Sequence, residues 1–374
     1  MITNPNLTGP ELSYLAQSSG ARAAITQPKL AEVVSQSCPG LGWIAVTQHD
    51  AGEPRGIGAL PAKSDSFASL LGEAAPRRQA DPNTPTLIMF TSGTTSLPKG
   101  VVWTHANALW GGKFGAMQQG LRNEDICQIF LPLFHVVGFA WSFLPTLWAG
   151  GTVVLQPRFS ASRYWPVALA NCTTIGSQVI FSSDVLSKQP VPKHSVRQWS
   201  CGRHMPQHVA HFGVRELTCW GMTELVAQVI LGDPWSEQRP GSLGRPSTGY
   251  RVTIEDDDGR PVALGQSGHL LVAGSRGVSI FQEYDGDPTA TADAFDERGF
   301  FRTGDRVILH EDGWIEFADR SKDVIKVGGE GVSAAEIEAV VVAVEGVREA
   351  AVVAKPDQVY GEVAVAFVVV DAQA

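Results

Sequence analysis

Short apolar runs of strand length punctuate the first two-thirds of this chain. They are Ala21 to Thr26, Thr86 to Phe90, Ile126 to Leu131, Gly151 to Leu155 and Glu216 to Cys219. Between them lie stretches that read as helices. The first opens after the Asn4-Pro5-Asn6 turn, with Thr8 as cap and Glu11 completing a capping box. Others run from about 106 to 119 and from Gly138 to Trp148, and residues 160–180 repeat the helix–strand alternation. The alternation predicts an α/β fold with a parallel, doubly wound sheet. Ligands of such sheets bind beyond the carboxyl ends of the strands, and Thr91 and His135 both lie just past such ends. Residues 50–85, rich in glycine, proline, alanine and charge, read as a surface connection.

The pattern changes after residue 240. Arg251–Ile254 and Gly268–Val272 read as antiparallel strands, with the acidic run Glu255-Asp256-Asp257-Asp258-Gly259 at a hairpin tip, and this region predicts a β subdomain. A strand at Trp314–Phe317 and another at Val324–Val327 follow. Ser333 and Glu336 then form a capping box for a helix that runs to about Val344 and stops at Gly346. Two strands, Glu349–Ala354 and Val363–Val370, finish the pattern.

Composition narrows the function classes. A chain of 374 residues has enough length for more than one domain, and 44% hydrophobic with 18% charged residues is a globular balance. A formal charge of −9 argues against a nonspecific nucleic-acid binder and leaves no polybasic membrane patch. No long uninterrupted apolar run predicts a membrane span. Five scattered cysteines without a Cys-x-x-Cys pair fit a reduced, cytoplasmic protein best.

The richest chemistry lies in Thr91-Ser92-Gly93-Thr94-Thr95-Ser96-Leu97-Pro98-Lys99-Gly100. Hydroxyls, glycine-exposed backbone N–H groups and the Lys99 ammonium together suit a polyphosphate. By composition it is equally a polar turn between a strand and a helix, and its spacing is not that of a Walker loop. His135 reads as a loop residue after a strand. The cluster His204, His208 and His211, near Cys201, is weighed as a metal site and set aside for polar residues flanking a helix start, since Pro206 interrupts any single face. In Trp220-Gly221-Met222-Thr223-Glu224, an aromatic platform, a hydroxyl and a hard oxygen ligand stand within five positions. Asp305, in Phe301-Arg302-Thr303-Gly304-Asp305, reads as an aspartate on a tight turn.

Taken in order, these motifs resemble those of the adenylate-forming superfamily of acyl-CoA synthetases, adenylation domains and luciferases. The resemblance extends over Gly241-Ser242-Leu243-Gly244-Arg245-Pro246 and Lys326-Val327-Gly328-Gly329-Glu330, with Ser96 where glycine is usual and Trp220 where tyrosine is usual. Its style is closest to crotonobetaine/carnitine-CoA ligase-like enzymes. The resemblance implies an ATP-dependent acyl-CoA ligase that uses Mg²⁺ and CoA on a small carboxylic acid. It implies an AMP-binding domain over 1–319 and a partial C-terminal domain over 320–374. Thr91, Ser92, Gly93, Thr94, Thr95 and Lys99 would hold phosphates. Gly202, Trp220 and Gly221 would border the adenine, Asp305 and Arg320 would hold the ribose, and Thr223 and Glu224 the phosphate and the metal. His135 would line the acyl pocket, Lys322 would be the domain hinge, and Lys326 would face the site in the thiol-transfer state.

Family members continue past the last strand to a lysine that contacts the acyl phosphate, whereas no lysine follows Lys355 here, and the resemblance therefore implies a chain short at both ends. It leaves open a nucleotide-binding homologue with little adenylation activity, a ligase acylating a carrier protein, and an oxygenase of the luciferase type.

Overall fold

The computed structural model describes residues 1–374 apart from 51–52, 55–57, 75, 77–78, 92–96, 234, 321–323, 329, 343, 345 and 371–374. An eleven-stranded sheet forms its centre. One half is parallel, in the order Arg215–Trp220, Gln198–Cys201, Ile175–Ser177, Ile126–Ile129 and Thr152–Leu155. The other half is antiparallel and contains the strands Arg251–Glu255, Ser267–Ala273, Phe301–Leu309, Ile315–Arg320, Ser242–Pro246 and Ile230–Leu231. The β portion is joined edge to edge onto the parallel half where Cys219 and Trp220 pair with Leu231 and Ile230.

The helices follow local chemistry. Thr8 caps Gly9–Ser18, and the Glu11 carboxylate accepts from the Thr8 N–H at 2.6 Å. Thr104 caps His105–Gln119 by accepting from Asn107 N at 3.1 Å, and Gly120 ends it at φ +61°. The apolar run expected as a helix from Gly138 to Trp148 forms one, with a π turn at Phe139–Phe143. Pro145 has no N–H to offer the carbonyl one helical turn earlier, and that carbonyl, on Trp141, accepts from Gln119 Nε2 at 2.9 Å instead.

Two expectations are revised. The stretch 50–85 is more than a connection: Ser64–Ser66 adds a parallel strand to Trp43–Val46, which pairs with Ala23–Thr26. A polar Ser-Asp-Ser edge strand carries no apolar period by which to be read. The stretch 91–100 joins a strand to a strand, not to a helix. Pro85–Thr91 pairs antiparallel with Lys99–Thr104, and Glu283–Tyr284 lies on the far side of the latter. Thr91 thus ends a strand of a separate antiparallel sheet and not of the parallel one.

The main core fills the space between this small sheet and the central one. Trp103 and Met89 from the hairpin meet Trp141, Leu225, Phe281 and Ile315 there, all buried. The last part of the chain forms a four-stranded sheet, in the order Glu330–Ser333, Val324–Val327, Gly361–Val370 and Val347–Asp357, with the helix Ala334–Val342. The side chains of Ser333 and Glu336 lie outside the described set. Among the described residues no helix is long and apolar enough to cross a membrane.

Candidate active site

The hairpin meets the Trp220–Glu224 turn through Tyr284, and that turn meets the Asp305 strand through Trp220. Thr91 and Lys99 are cross-strand partners at the mouth of the hairpin, so the stem closes residues 92–98 between them. Ser92, Gly93, Thr94 and Thr95 lie outside the described residues. Lys99 Nζ sits 4.9 Å from the centroid of the Tyr284 ring, and the Tyr284 hydroxyl donates to Glu224 Oε1 at 2.9 Å. Burial and the Glu224 charge push the tyrosine pKa well up, so it stays a donor.

The turn that carries Thr223 and Glu224 is held by donors from distant elements. Trp103 Nε1 donates to Thr223 O at 3.0 Å, Phe281 N to Glu224 O at 2.8 Å, Tyr250 OH to Leu225 O at 2.6 Å and Trp141 Nε1 to Val226 O at 3.0 Å. Val226 takes φ +62° and ψ −66°, and Ala227 N bonds back to Leu225 O at 2.7 Å. This is a strained γ-turn in a β-branched residue, and such strain persists where the surroundings over-determine it. Gly221 is required by packing: a Cβ would stand 2.8 Å from Trp141 Cζ2. At Gly202, just past the strand Gln198–Cys201, nothing lies within 4 Å of such a Cβ. Among the described residues, a methyl side chain at Gly202 would therefore meet no neighbour.

Asp305 is not on a tight turn, as its motif suggested, but within the strand Phe301–Leu309. Gly304 at φ +76° and a register shift bulge the strand there, so the Thr-Gly-Asp string marks a bulge and not a chain reversal. Asp305 is 2% exposed and accepts from Trp220 Nε1 at 3.0 Å. Its cross-strand partner is Arg320, whose side chain lies outside the described set. Trp220, placed as a stacking platform, also reaches the expected ribose aspartate directly.

His135 stands at the residue before the helix that starts at Val136 and lies 3.6 Å from Glu330, on the hairpin that carries Lys326. The imidazole holds the Glu330 carboxyl below its usual range. Lys326 Nζ lies 5.1 Å from the Phe317 ring centroid. Phe181 stacks on Tyr360 of the last sheet's region, with ring centroids 5.9 Å apart at 14°. Lys322, the expected hinge, lies outside the described residues.

The histidine cluster has separate tasks. His204 Nδ1 is 2.9 Å from Glu216 Oε2, and His208, buried and not at the surface as read, is 3.0 Å from Asp184. Tertiary folding supplies the acidic partners that the sequence did not show nearby. Among the described residues no group of three or more His, Cys, Asp or Glu side chains could hold a metal. A cation here would take Glu224 as its protein carboxylate and draw other oxygens from phosphate and water, the ligand set that suits Mg²⁺. Sequence reasoning missed Tyr284, Trp103, Trp141 and Tyr360. Tyr284 sits in a two-residue strand, too short for any period, and its one signal was the Asp285-Gly286 turn after it.

The hairpin cation Lys99 and the buried turn carboxylate Glu224 thus meet on Tyr284, and the neighbouring Trp220 reaches Asp305. The AMP-binding enzyme family profile matches residues 1–284, and that of the AMP-binding enzyme C-terminal domain matches 336–374, so the chain belongs to the AMP-binding enzyme family. It is 32% identical over 389 residues to a crotonobetaine/carnitine–CoA ligase of Salmonella paratyphi A, covering 98% of this chain and 73% of that one. A fatty acyl CoA synthetase structure from Mycobacterium tuberculosis superposes with a TM-score of 0.71 at 28% identity, over 99% of this chain and 72% of that one. An amide bond synthetase from Marinactinospora thermotolerans shares the fold, with a TM-score of 0.81 at 24% identity over 98% and 74% of the two chains. The chain is a ligase-type enzyme of this family.

Proposed function

We propose that the protein activates a small carboxylic acid with ATP and transfers the acyl group to CoA. The observation that carries this reading is the Lys99–Tyr284–Glu224 contact, which puts the cation of the phosphate hairpin and the carboxylate of the Trp-Gly-Met-Thr-Glu turn on one ring.

In the first step a carboxylate oxygen of the substrate attacks the α-phosphorus. The bond to the bridging oxygen breaks, and pyrophosphate leaves with its electron pair. Thr91, Lys99 and the hydroxyls of 92–96 would bind the β- and γ-phosphates. Trp220 and Gly202 would border the adenine, while Asp305 and Arg320 would hold the ribose. Mg²⁺, held by Glu224 beside Thr223, would neutralise phosphate charge. Catalysis on this reading is positioning and charge neutralisation, with no protein nucleophile.

In the second step the CoA sulfur attacks the acyl carbon, the thiol proton is released and AMP departs. On this reading the chain divides near residue 320 and the last sheet turns about Lys322 between the steps. The contact of Glu330 with His135 supports an arrangement in which the hairpin of Lys326 lies over the acyl pocket.

The test is isotope exchange between pyrophosphate and ATP across a panel of carboxylic acids, followed by detection of CoA esters. Exchange with at least one acid, and the matching ester once CoA is added, are expected. ATP binding without exchange for any acid would overturn the adenylation step. Exchange without ester would overturn the CoA step.

A further inference from the structure

We infer that Tyr284 is a positioning residue that keeps Lys99 and Glu224 apart and aimed, so that each meets its own part of a magnesium nucleotide. The inference rests on the ATP-dependent reading above and concerns a residue outside both motifs.

The geometry is particular. One phenol carries a cation on its face, 4.9 Å from the centroid, and an anion on its hydroxyl, at 2.9 Å. A ring face attracts an ammonium through its quadrupole, and a phenol O–H donates to a carboxylate, so both contacts are favourable at once. Lys99 has a long flexible stem, and in the tyrosine's place a smaller side chain would let it swing toward Glu224. A direct ion pair would then compete with phosphate for the lysine and with the metal for the glutamate.

Tyr284 is itself firmly placed. It is 7% exposed, its N–H donates to Thr291 Oγ1 at 3.0 Å, and its ring lies 4.8 Å from that of Phe281. Its strand pairs with the hairpin strand that begins at Lys99, with Tyr284 opposite Val101. Phe281, three residues earlier, donates its N–H to Glu224 O. One short strap therefore ties the phosphate hairpin to the metal turn through backbone and side chain together. The sheet sets the tyrosine's height, and the tyrosine sets the spacing of the two charges.

The test is calorimetric binding of ATP to the full chain, in EDTA and across a Mg²⁺ titration, for the parent, Tyr284→Phe and Tyr284→Leu. Phenylalanine keeps the ring under Lys99 and removes the donor to Glu224. It should leave Mg²⁺-free ATP affinity at the parental value and cut the gain on adding Mg²⁺ by about ten-fold, the worth of a hydrogen bond to a charged group. Leucine removes both contacts and should weaken Mg²⁺-free binding as well. A phenylalanine variant with the parental Mg²⁺ gain and only a lower thermal midpoint would reduce Tyr284 to a packing residue. A leucine variant with parental Mg²⁺-free affinity would overturn the spacing of Lys99. A parent chain that binds no ATP at all overturns the nucleotide reading, and this inference with it. A parent that binds ATP but shows no pyrophosphate exchange overturns adenylation alone and leaves the Tyr284 comparison decisive.

Discussion

Trp220 Nε1 donates to Asp305 Oδ2 at 3.0 Å, a bond between the turn of the parallel half of the sheet and a bulge of the antiparallel half. Tryptophan at this position orients a carboxylate that is almost wholly buried. Trp220→Phe keeps a ring and removes the N–H. A lost hydrogen bond to a buried charge costs about 1.5–3 kcal/mol. We expect an unfolding free energy in urea lower by that amount and a several-fold weaker ATP affinity by calorimetry. Parental values in both would detach the indole from the nucleotide site.

Gly221→Ala tests the packing of the same turn. The added methyl would stand 2.8 Å from Trp141 Cζ2 and 2.9 Å from Ala227 O, and neither the buried indole nor the backbone carbonyl yields easily. The expected loss of stability is about 1–3 kcal/mol, measured by chemical denaturation. A neutral result would mean that Trp141 has room to move, and with it the bond that holds the Val226 γ-turn.

Glu216 makes a pH prediction of defined sign. Burial pushes its carboxyl from 4.5 up to about 7, partly opposed by the Met205 N–H. The folded chain thus keeps a proton that the unfolded chain has lost, so this contribution to stability is present below about pH 4.5 and fades as pH rises through about 7. Glu216→Gln does not ionise and keeps an acceptor for Met205. At pH 8 it should exceed the parent by up to about 3 kcal/mol, each pKa unit being about 1.4 kcal/mol, and the difference should vanish near pH 4.5. His204, 2.9 Å from Glu216 and held below its ordinary value by burial, acts in the opposite sense in the parent. A gap between the two proteins that does not change with pH would show that Glu216 ionises normally.

Glu330→Ala tests the proposed two-step reaction. The contact with His135 joins the last sheet to the pocket loop, so its loss should leave pyrophosphate exchange near the parental rate and slow CoA-ester formation several-fold. Equal loss in both steps would make Glu330 a general structural residue.

Strong periodic patterns were legible in the sequence. The strands around 126–131, 151–155 and 216–219 and the helix at 105–119 appear close to where apolar runs and caps put them. The candidate site was legible as motifs but not as contacts. Asp305 reads as a turn because Thr-Gly-Asp is turn chemistry, yet pairing with Ser267–Ala273 on one side and Ile315–Arg320 on the other keeps it in a strand and converts the turn into a bulge. His204 and His208 showed no acidic neighbours because Glu216 and Asp184 reach them only through the fold. The phosphate stretch was read as leading into a helix because the return strand Lys99–Thr104 runs straight into His105, leaving no break to mark it.

Gly138 closes a tight approach between the helix that follows His135 and the carbonyls of Leu131 and Pro132, where a Cβ would overlap both. The loop bearing Phe134 and His135 is therefore pinned at its two ends by backbone alone. For anyone redesigning this loop, its length and the glycine at 138 are constraints set by that approach. The freedom lies in the side chains mounted on that frame, which can change without moving its backbone.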